Sequence, residues 1–289
     1  MLLSPAERSY IYDSLNQADP IRLDGRKPLQ FRPLEATTDF LPSSNGSARI
    51  RLADGSECIV SIKSKVVLIS KEPNLIEWDI EVSGFRDDSN FVSNVKFSLV
   101  DLFIKNFPSS KLHLTAKYSY KLYIDCIIVS HSSYPLTLAT MAAYLALKTT
   151  RLPLLISDHD DAEVEEQPTF SDDWAKAQYL ADYLKVDDFS PPLFITVGIV
   201  GKNIFVDPSE VEEQVLENGF LIGYSSNATL APILNMNLAT NSINPNFKGF
   251  DPDVLVSTVE ILKGHLPSIS EALDVLEKEE RNARIHSIF

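Results

Sequence analysis

Cysteine is scarce in this 289-residue chain, which has Cys58 and Cys126 and no others. That excludes a disulfide framework and every multi-cysteine zinc module, and it makes a reducing compartment the expectation. Glycine is sparse as well, at 10 residues, and no Gly-x-Gly-x-x-Gly or Walker-type loop occurs, so nucleotide binding through a glycine-rich cradle is not expected. The five histidines, His113, His131, His159, His265 and His286, have no partner at His-x-x-x-His spacing, which leaves no dedicated zinc site. Apolar runs are broken by charge well short of the roughly 18 residues that a membrane helix needs. Pro5, Glu7 and Arg8 follow the short apolar start where a secretory signal would continue. The expectation is an intracellular protein with no targeting segment and no membrane partner. Basic charge is also in short supply: 26 Lys and Arg face 40 Asp and Glu, for a formal net charge of −14. A domain that grips nucleic acid unaided carries a basic face, because phosphate neutralisation supplies most of its affinity. This chain, with a pI near 4.8, does not fit that class.

What is present is a globular composition, 44% apolar and 23% charged, long enough to bury a large core. Ser4-Pro5-Ala6-Glu7 supplies an N-cap hydroxyl, a proline at the first helical position and a capping-box glutamate, predicting a helix over 5–16. Residues 21–34 read as an irregular arm rich in Arg and Pro. Residues 47–52 and 57–67 alternate about Asp54-Gly55, a hairpin signature that sets Ile50 and Leu52 against Cys58, Val60 and Ile62. Ile76, Trp78, Ile80 and Val82 share one face of a further strand, with Glu77, Asp79 and Glu81 on the other as a solvated face. Val92, Val95, Leu99, Leu102 and Phe103 form a helical stripe that should end by Pro108. Residues 121–130 read as a buried strand, and Pro135 opens a helix whose Ala139, Ala142, Ala143 and Ala146 allow close approach to a sheet. Cys58 and Cys126 both fall in strands and read as packing residues.

The same grammar returns after residue 192. A hairpin is expected over 193–206, then a capped helical start at Asp207-Pro208-Ser209-Glu210, and two more strands over 219–224 and 228–235. A C-terminal helix carries Leu255, Val256, Val259, Leu262 and Leu266, breaks near Pro267 and restarts at Ser268 with Glu271. The expected fold class is therefore α+β, with two related β-rich halves packed as one unit. Its parts are an N-terminal helix and arm over 1–30, a first half over 31–157, an acidic insertion or linker over 158–192, and a second half over 193–289. Residues 158–188 hold 11 acidic residues and 2 lysines, so most of the negative charge is local. One short helix is expected in that insertion, around Trp174 to Leu184.

Several motifs occur in a meaningful order. They are Arg22-x-Asp24-Gly25-Arg26, Gly46-Ser47-Ala48 opening a hairpin, Tyr123-Ile124-Asp125-Cys126 running on through Ala143, and Asp207-Pro208-Ser209-Glu210-Val211-Glu212-Glu213. Across nearly the whole length the chain resembles the RNase PH family. The segments from Phe40 to Ser47 and from Ser56 to Val66 look like those of the RNase PH-like ring subunits of the eukaryotic RNA exosome. The resemblance implies the RNase PH-like fold, a tandem pair of β-rich α+β halves. In active members phosphate attacks the 3′-terminal phosphodiester of RNA and releases nucleoside diphosphates. Such chemistry must gather two anions, for which charged forks, a helix N-terminus and a carboxylate-held metal are physical solutions.

The match to that active pattern is incomplete. The first aspartate of active members matches Asp125, but the second, five positions on, falls at Ser130. Their Gly-Gly-Thr-Arg stretch falls on His131-Ser132-Ser133-Tyr134. Serine does not hold a divalent cation as a carboxylate does, and tyrosine offers one neutral donor where guanidinium offers a charged fork. The expectation is a degenerate site around Asp125, Ser130, Ser132, Ser133 and Tyr134, with no catalysis, metal or cofactor. Asp125 reads either as a leftover catalytic carboxylate or as a hydrogen-bonded strand residue. Arg22, Asp24 and Arg26 read either as contacts to a neighbouring chain or as internal bracing. Lys105 and Lys111 are candidates for RNA backbone contact, against a plain solvated reading. The resemblance implies other RNase PH-like ring subunits, cap subunits with RNA-binding modules and a separate catalytic exoribonuclease as partners. Single-stranded RNA would pass through the assembled channel, in the nucleus, nucleolus and cytoplasm. The rival expectation is an active phosphate-dependent 3′-to-5′ exoribonuclease, alone or through a composite site.

Overall fold

A computed structural model describes residues 2–156, 168–186, 189–225, 228–235 and 252–286. The most strongly acidic stretch of the expected insertion, 158–167, lies outside the described residues. Helix α1 (Pro5–Leu15) carries the capping box that its sequence spells: the Glu7 amide donates to Ser4 Oγ, and the Ser4 amide donates to Glu7 Oε2 at 2.7 Å.

The first sheet has five strands, β1 (Leu34–Thr38), β2 (Gly46–Leu52), β3 (Glu57–Leu68), β4 (Ile76–Val82) and β5 (Tyr118–Ser130), in the order β1-β2-β3-β5-β4. Ile50 pairs with Cys58 across the Asp54-Gly55 turn, the register that the alternation predicts. Strand β4 runs parallel to β5, a pairing that requires a crossover, here supplied by α2 (Asn90–Asn106). Along β4 the four apolar residues are buried and the three acidic ones are exposed, as the period of two dictates. The thiols of Cys58 and Cys126 are buried side by side with sulfurs 3.6 Å apart, and burial together with this contact pushes the Cys58 thiol well above its ordinary range. These are packing residues, inert as nucleophiles.

Helix α3 (Leu136–Thr149) lies between the two sheets, and all but one of its 14 residues are buried. On one side it packs on β2 and β3, and on the other it meets β8 (Leu193–Val200). The small residues make this sandwich possible, and threonines tie it. Thr137 Oγ1 accepts the Thr196 amide at 2.9 Å, and Thr140 Oγ1 accepts the Phe194 amide at 3.0 Å. Strand β8 belongs to a second, antiparallel sheet with β9 (Asn203–Val206), β10 (Asn218–Ser225) and β11 (Ala228–Asn235), in the order β11-β10-β8-β9.

Two expectations need correction. Between 174 and 184 the chain forms a 3-10 turn (Trp174–Lys176), a two-residue strand β7 (Gln178–Tyr179) paired with β6 (Arg151–Leu152), and a short helix α4 (Leu180–Leu184), where one helix was expected. Here β7 pairs with β6, and the helix that follows it buries Leu180 and Leu184. The C-terminal break also falls earlier than predicted. Helix α6 (Pro252–Lys263) ends at Gly264-His265, and α7 (Leu266–His286) begins with Pro267 in its first turn, where a missing N–H costs no intrahelical bond. Thr258 is buried in the place expected for Val256, which is 57% exposed, so the packed stripe of α6 is rotated from the one read in the sequence. A four-residue helix, α5 (Glu210–Glu213), follows β9 and has the capping box of Ser209 and Glu212.

Candidate functional site

The loop from β5 to α3, residues 130–135, lies where three other segments converge: the Asp54 turn, the arm over 22–32, and the junction between β9 and α5. Each segment contributes charge, and each charge is answered within the chain. Arg22 is buried and forms a fork on Glu212 at 2.8 and 2.6 Å, and it also donates to the carbonyls of Val206 at 3.1 Å and Asp207 at 3.0 Å. Arg26 binds Asp24 at 2.7 Å and Asp207 at 3.1 Å. Arg32 binds both oxygens of Asp207, at 2.5 and 2.9 Å, and reaches Asp54 at 2.5 Å. Burial alone would lower the affinity of Arg32 for its proton, but the bonds to Asp207 and Asp54 more than offset it, so its charge is held firmly.

The serines of the loop and the Tyr134 amide are tied into this network. Ser130 Oγ donates to the Gly55 carbonyl at 2.6 Å. The Ser132 hydroxyl bonds Asp54, and the Ser132 amide donates to Ser56 Oγ at 3.2 Å. Burial of Asp54 works against its ionised form, yet the Ser132 and Ser56 donors and Arg32 hold its carboxyl below the usual range. Arg32 Nη2 donates to Ser133 Oγ at 2.7 Å. The Tyr134 amide, at the entrance to α3, donates to Glu213 Oε1 at 2.8 Å. Tyr134 is itself buried, which raises its phenol, and its hydroxyl has no hydrogen-bond partner among the described residues.

His131 is the one side chain of the loop that could become a cation. Its ring stacks on Phe91 and Phe85 with centroids 5.4 and 5.9 Å away, and its Nδ1 lies 3.3 Å from the Ser133 carbonyl. Burial lowers its affinity for a proton, and the Ser133 carbonyl only partly opposes that shift. The ring is neutral near neutral pH. Deep burial likewise pushes the Glu213 carboxyl well above its ordinary range, despite the Tyr134 amide and Arg32.

Asp125 stands apart on the outer face of β5. Its carboxylate lies 3.4 Å from Ser61 Oγ and 3.8 Å from Lys63 Nζ, and its side chain is partly exposed. A bulge between Glu57 and Cys58 shifts the register beyond it, so Ser130 pairs with Glu57. Among the described residues no three His, Cys, Asp or Glu side chains are grouped to hold a metal. The donors at these positions, one carboxylate beside an ammonium and one hydroxyl bonded to a carbonyl, do not fit a divalent cation. Lys105 pairs with Asp101 at 2.7 Å, and Lys111 Nζ lies 3.5 Å from the Lys185 carbonyl. Phe91, which touches His131, precedes Lys105 by fourteen helical residues, so that lysine sits about 20 Å along the helix from the loop.

Of the residues singled out in the sequence, Ser130, Ser132, Ser133 and Tyr134 are thus brought together with Arg22, Asp24 and Arg26. Asp125, Lys105 and Lys111 are not. The sequence reading missed Arg32, Asp54, Asp207, Glu212 and Glu213 as members of one cluster, having placed Asp54 in a turn, Asp207 in a helix start, Arg32 in an irregular arm, and Glu212 and Glu213 only within a motif. The available signal was three arginines within a short arm of an acidic chain, which need acidic partners if the arm is buried.

A model of the 3′ exoribonuclease family, domain 1, matches residues 30–153. Over 279 residues the chain is 44% identical to the exosome complex component RRP42 of Saccharomyces cerevisiae, covering 96% of this chain and 100% of the yeast one. It is 28% identical to the exosome complex component rrp42 of Schizosaccharomyces pombe, over 80% of this chain and 81% of that one. An archaeal exosome core superposes with a TM-score of 0.65 at 17% identity, over 93% of this chain and 96% of that one. The Archaeoglobus fulgidus exosome with RNA bound to the active site gives a TM-score of 0.58 at 18% identity, over 97% of both chains. These structural likenesses establish a shared fold.

Proposed function

This chain belongs to the RNase PH-type 3′ exoribonuclease family, and from that premise we propose that it is a non-catalytic ring subunit of an exosome. In this reading it joins other RNase PH-like chains in a six-membered ring, under cap subunits with RNA-binding modules and beside a separate exoribonuclease. Its work is geometric: it closes part of a channel that admits single-stranded RNA, in the nucleus, nucleolus and cytoplasm. The full-length similarity to an exosome component of yeast supports the assembly.

The observation that carries inertness is the loop over 130–134. A phosphorolytic site needs charged donors aimed at an incoming phosphate, and these must be free of internal partners to act on it. Here the nearby guanidinium groups are engaged by Asp24, Asp54, Asp207 and Glu212. The entrance to α3, where an anion would sit, is met by the carboxyl of Glu213. The side chains of the loop are hydroxyls, a buried phenol and a neutral imidazole. Loss of a single charge-assisted donor commonly costs on the order of 10²-fold or more in rate, and here Arg22, Arg26 and Arg32 are each paired with carboxylates of the chain.

The test is phosphorolysis of a 3′-end-labelled RNA by the purified chain, alone and reconstituted with its relatives, with native mass measured in parallel. The expected result is no nucleoside diphosphate from the chain alone and a hetero-oligomeric ring of similarly sized subunits in native preparations. Phosphate-dependent release of nucleoside diphosphate by the chain alone overturns inertness. A solitary monomer in native preparations overturns the ring.

A further inference from the structure

The segments 151–156 and 169–179 run antiparallel as a narrow ladder with a mismatch in its middle. Leu152 pairs with Gln178, and Leu155 bridges to Phe170. Between these pairings one side has two residues, Pro153 and Leu154, and the other has seven, 171–177. The excess leaves the ladder as an excursion with Trp174 at its centre. None of its residues is buried, so it contributes nothing to the core. It is nevertheless fixed by its own bonds. Ser171 Oγ accepts the Asp173 amide at 3.2 Å, Asp173 Oδ1 accepts the Ala175 amide at 3.1 Å, and the 3-10 turn closes with the Ala177 amide on the Trp174 carbonyl at 3.1 Å. Of the two tryptophans in the chain, Trp78 is 2% exposed and Trp174 is 47% exposed. An excursion that buries nothing and holds an indole in one place presents that side chain to another molecule. Tryptophan is enriched among the residues that dominate interfaces, and a loop already ordered loses little freedom on docking.

Charge around the indole selects what it meets. Asp172 is exposed and has no ion pair among the described residues, and Asp173 meets Lys176 at 3.4 Å in an exposed pair of little net value. The flanking sequence has the same sign, with 11 acidic residues and 2 lysines over 158–188. Arg151 and Arg281, at the foot of the excursion, lie over the Tyr179 ring, and Arg281 is paired with Glu277. RNA and an anionic membrane share the sign of the loop and are repelled by it. A second copy brings the same acidic loop and a formal net charge of −14. What remains is a cationic surface of another protein, since like charges set against one another are excluded.

We propose that the excursion over 171–177 is a docking loop: Trp174 enters an apolar pocket of a different protein, and Asp172 and Asp173 meet lysines or arginines on the rim of that pocket. The ring reading enters only in where the partner is sought, among the proteins that assemble with this chain. A central aromatic anchor ringed by charge of one sign supplies both affinity and choice of partner.

The test uses the native assembly. A photo-crosslinking phenylalanine analogue in place of Trp174 should capture a protein other than this chain, at a segment that borders an apolar pocket rimmed by Lys or Arg. Trp174→Ala should leave the melting temperature of the free chain unchanged, since the loop contributes nothing to the core, and weaken binding of the captured subunit by roughly thirtyfold or more. Asp172→Lys combined with Asp173→Asn, which keeps an acceptor for the Ala175 amide, should weaken it severalfold, with the difference from the parent shrinking as salt is raised. A crosslink to a second copy, to RNA or to a pocket without basic residues overturns the inference, as does no crosslink at all. So does a Trp174→Ala variant that binds the captured subunit as tightly as the parent, and that outcome leaves the ring reading standing. A wild-type chain that assembles with nothing overturns both.

Discussion

Asp207 shows at the scale of one residue how this site is built. Its backbone lies in the left-handed region, at φ 51°, which aspartate tolerates better than most residues. It is kept there by what its carboxylate holds: Arg26, both donors of the Arg32 fork and the Arg32 amide. Removing one member of a buried charge network leaves its partners uncompensated, at a cost of about 3–5 kcal/mol. Asp207→Ala should lower stability by that order in urea unfolding, and Asp207→Asn, which keeps one acceptor, by less. A loss below about 1 kcal/mol for the alanine variant would show that the network contributes little. None of this could be read from Asp207-Pro208-Ser209-Glu210, which signals a helix start and nothing about two arginines that lie far away in the chain.

At the scale of elements, α3 decides the architecture, and its composition announced as much. Alanines at 139, 142, 143 and 146 leave room for a sheet on each side, and the helix is buried all round, as such a sequence requires. Gly46, at the start of β2, is the reciprocal adaptation. A β-carbon there would sit 2.6 Å from the Ala146 carbonyl and 2.7 Å from Thr150 Cα, backbone that has no room to yield. Gly46→Ala should therefore destabilise by about 1–3 kcal/mol, as overpacking does, although alanine is the better strand former. A thermal melt that matches the parent would disprove the close contact. Where element prediction failed, over 174–184 and around Pro267, the deciding interaction was a pairing with β6 or the tolerance of a first helical turn for proline, neither of which has a periodic signature.

At the scale of the molecule, the acids of this cluster couple the fold to pH. Glu213 holds its proton more tightly when folded than when unfolded, because burial disfavours its charged form. Its contribution to stability is therefore complete below the unfolded carboxyl value, roughly 4.3, and is lost as pH rises through the higher folded value. Asp24 and Asp54 act in the opposite sense, since their folded values are lowered and their contribution is lost in acid. Glu213→Gln keeps an acceptor for the Tyr134 amide and removes the titration. Urea midpoints at pH 5, 6.5 and 8 should show the variant gaining on the parent as pH rises. A difference independent of pH would mean that Glu213 is ionised throughout.

Much of this protein was legible in one dimension because short-range physics wrote it. Capping boxes, the Asp-Gly hairpin, the alternation of β4 and the stripe of α2 each depend on residues within a few positions of one another. Tertiary structure alone decided which charges meet. The arm, the Asp54 turn and the start of α5 are separated by long stretches of chain, and a guanidinium is buried only when the folded backbone brings a carboxylate to it. Local sequence sets the conformation of each segment, whereas the free energy of a buried ion depends on partners that only the closed fold supplies.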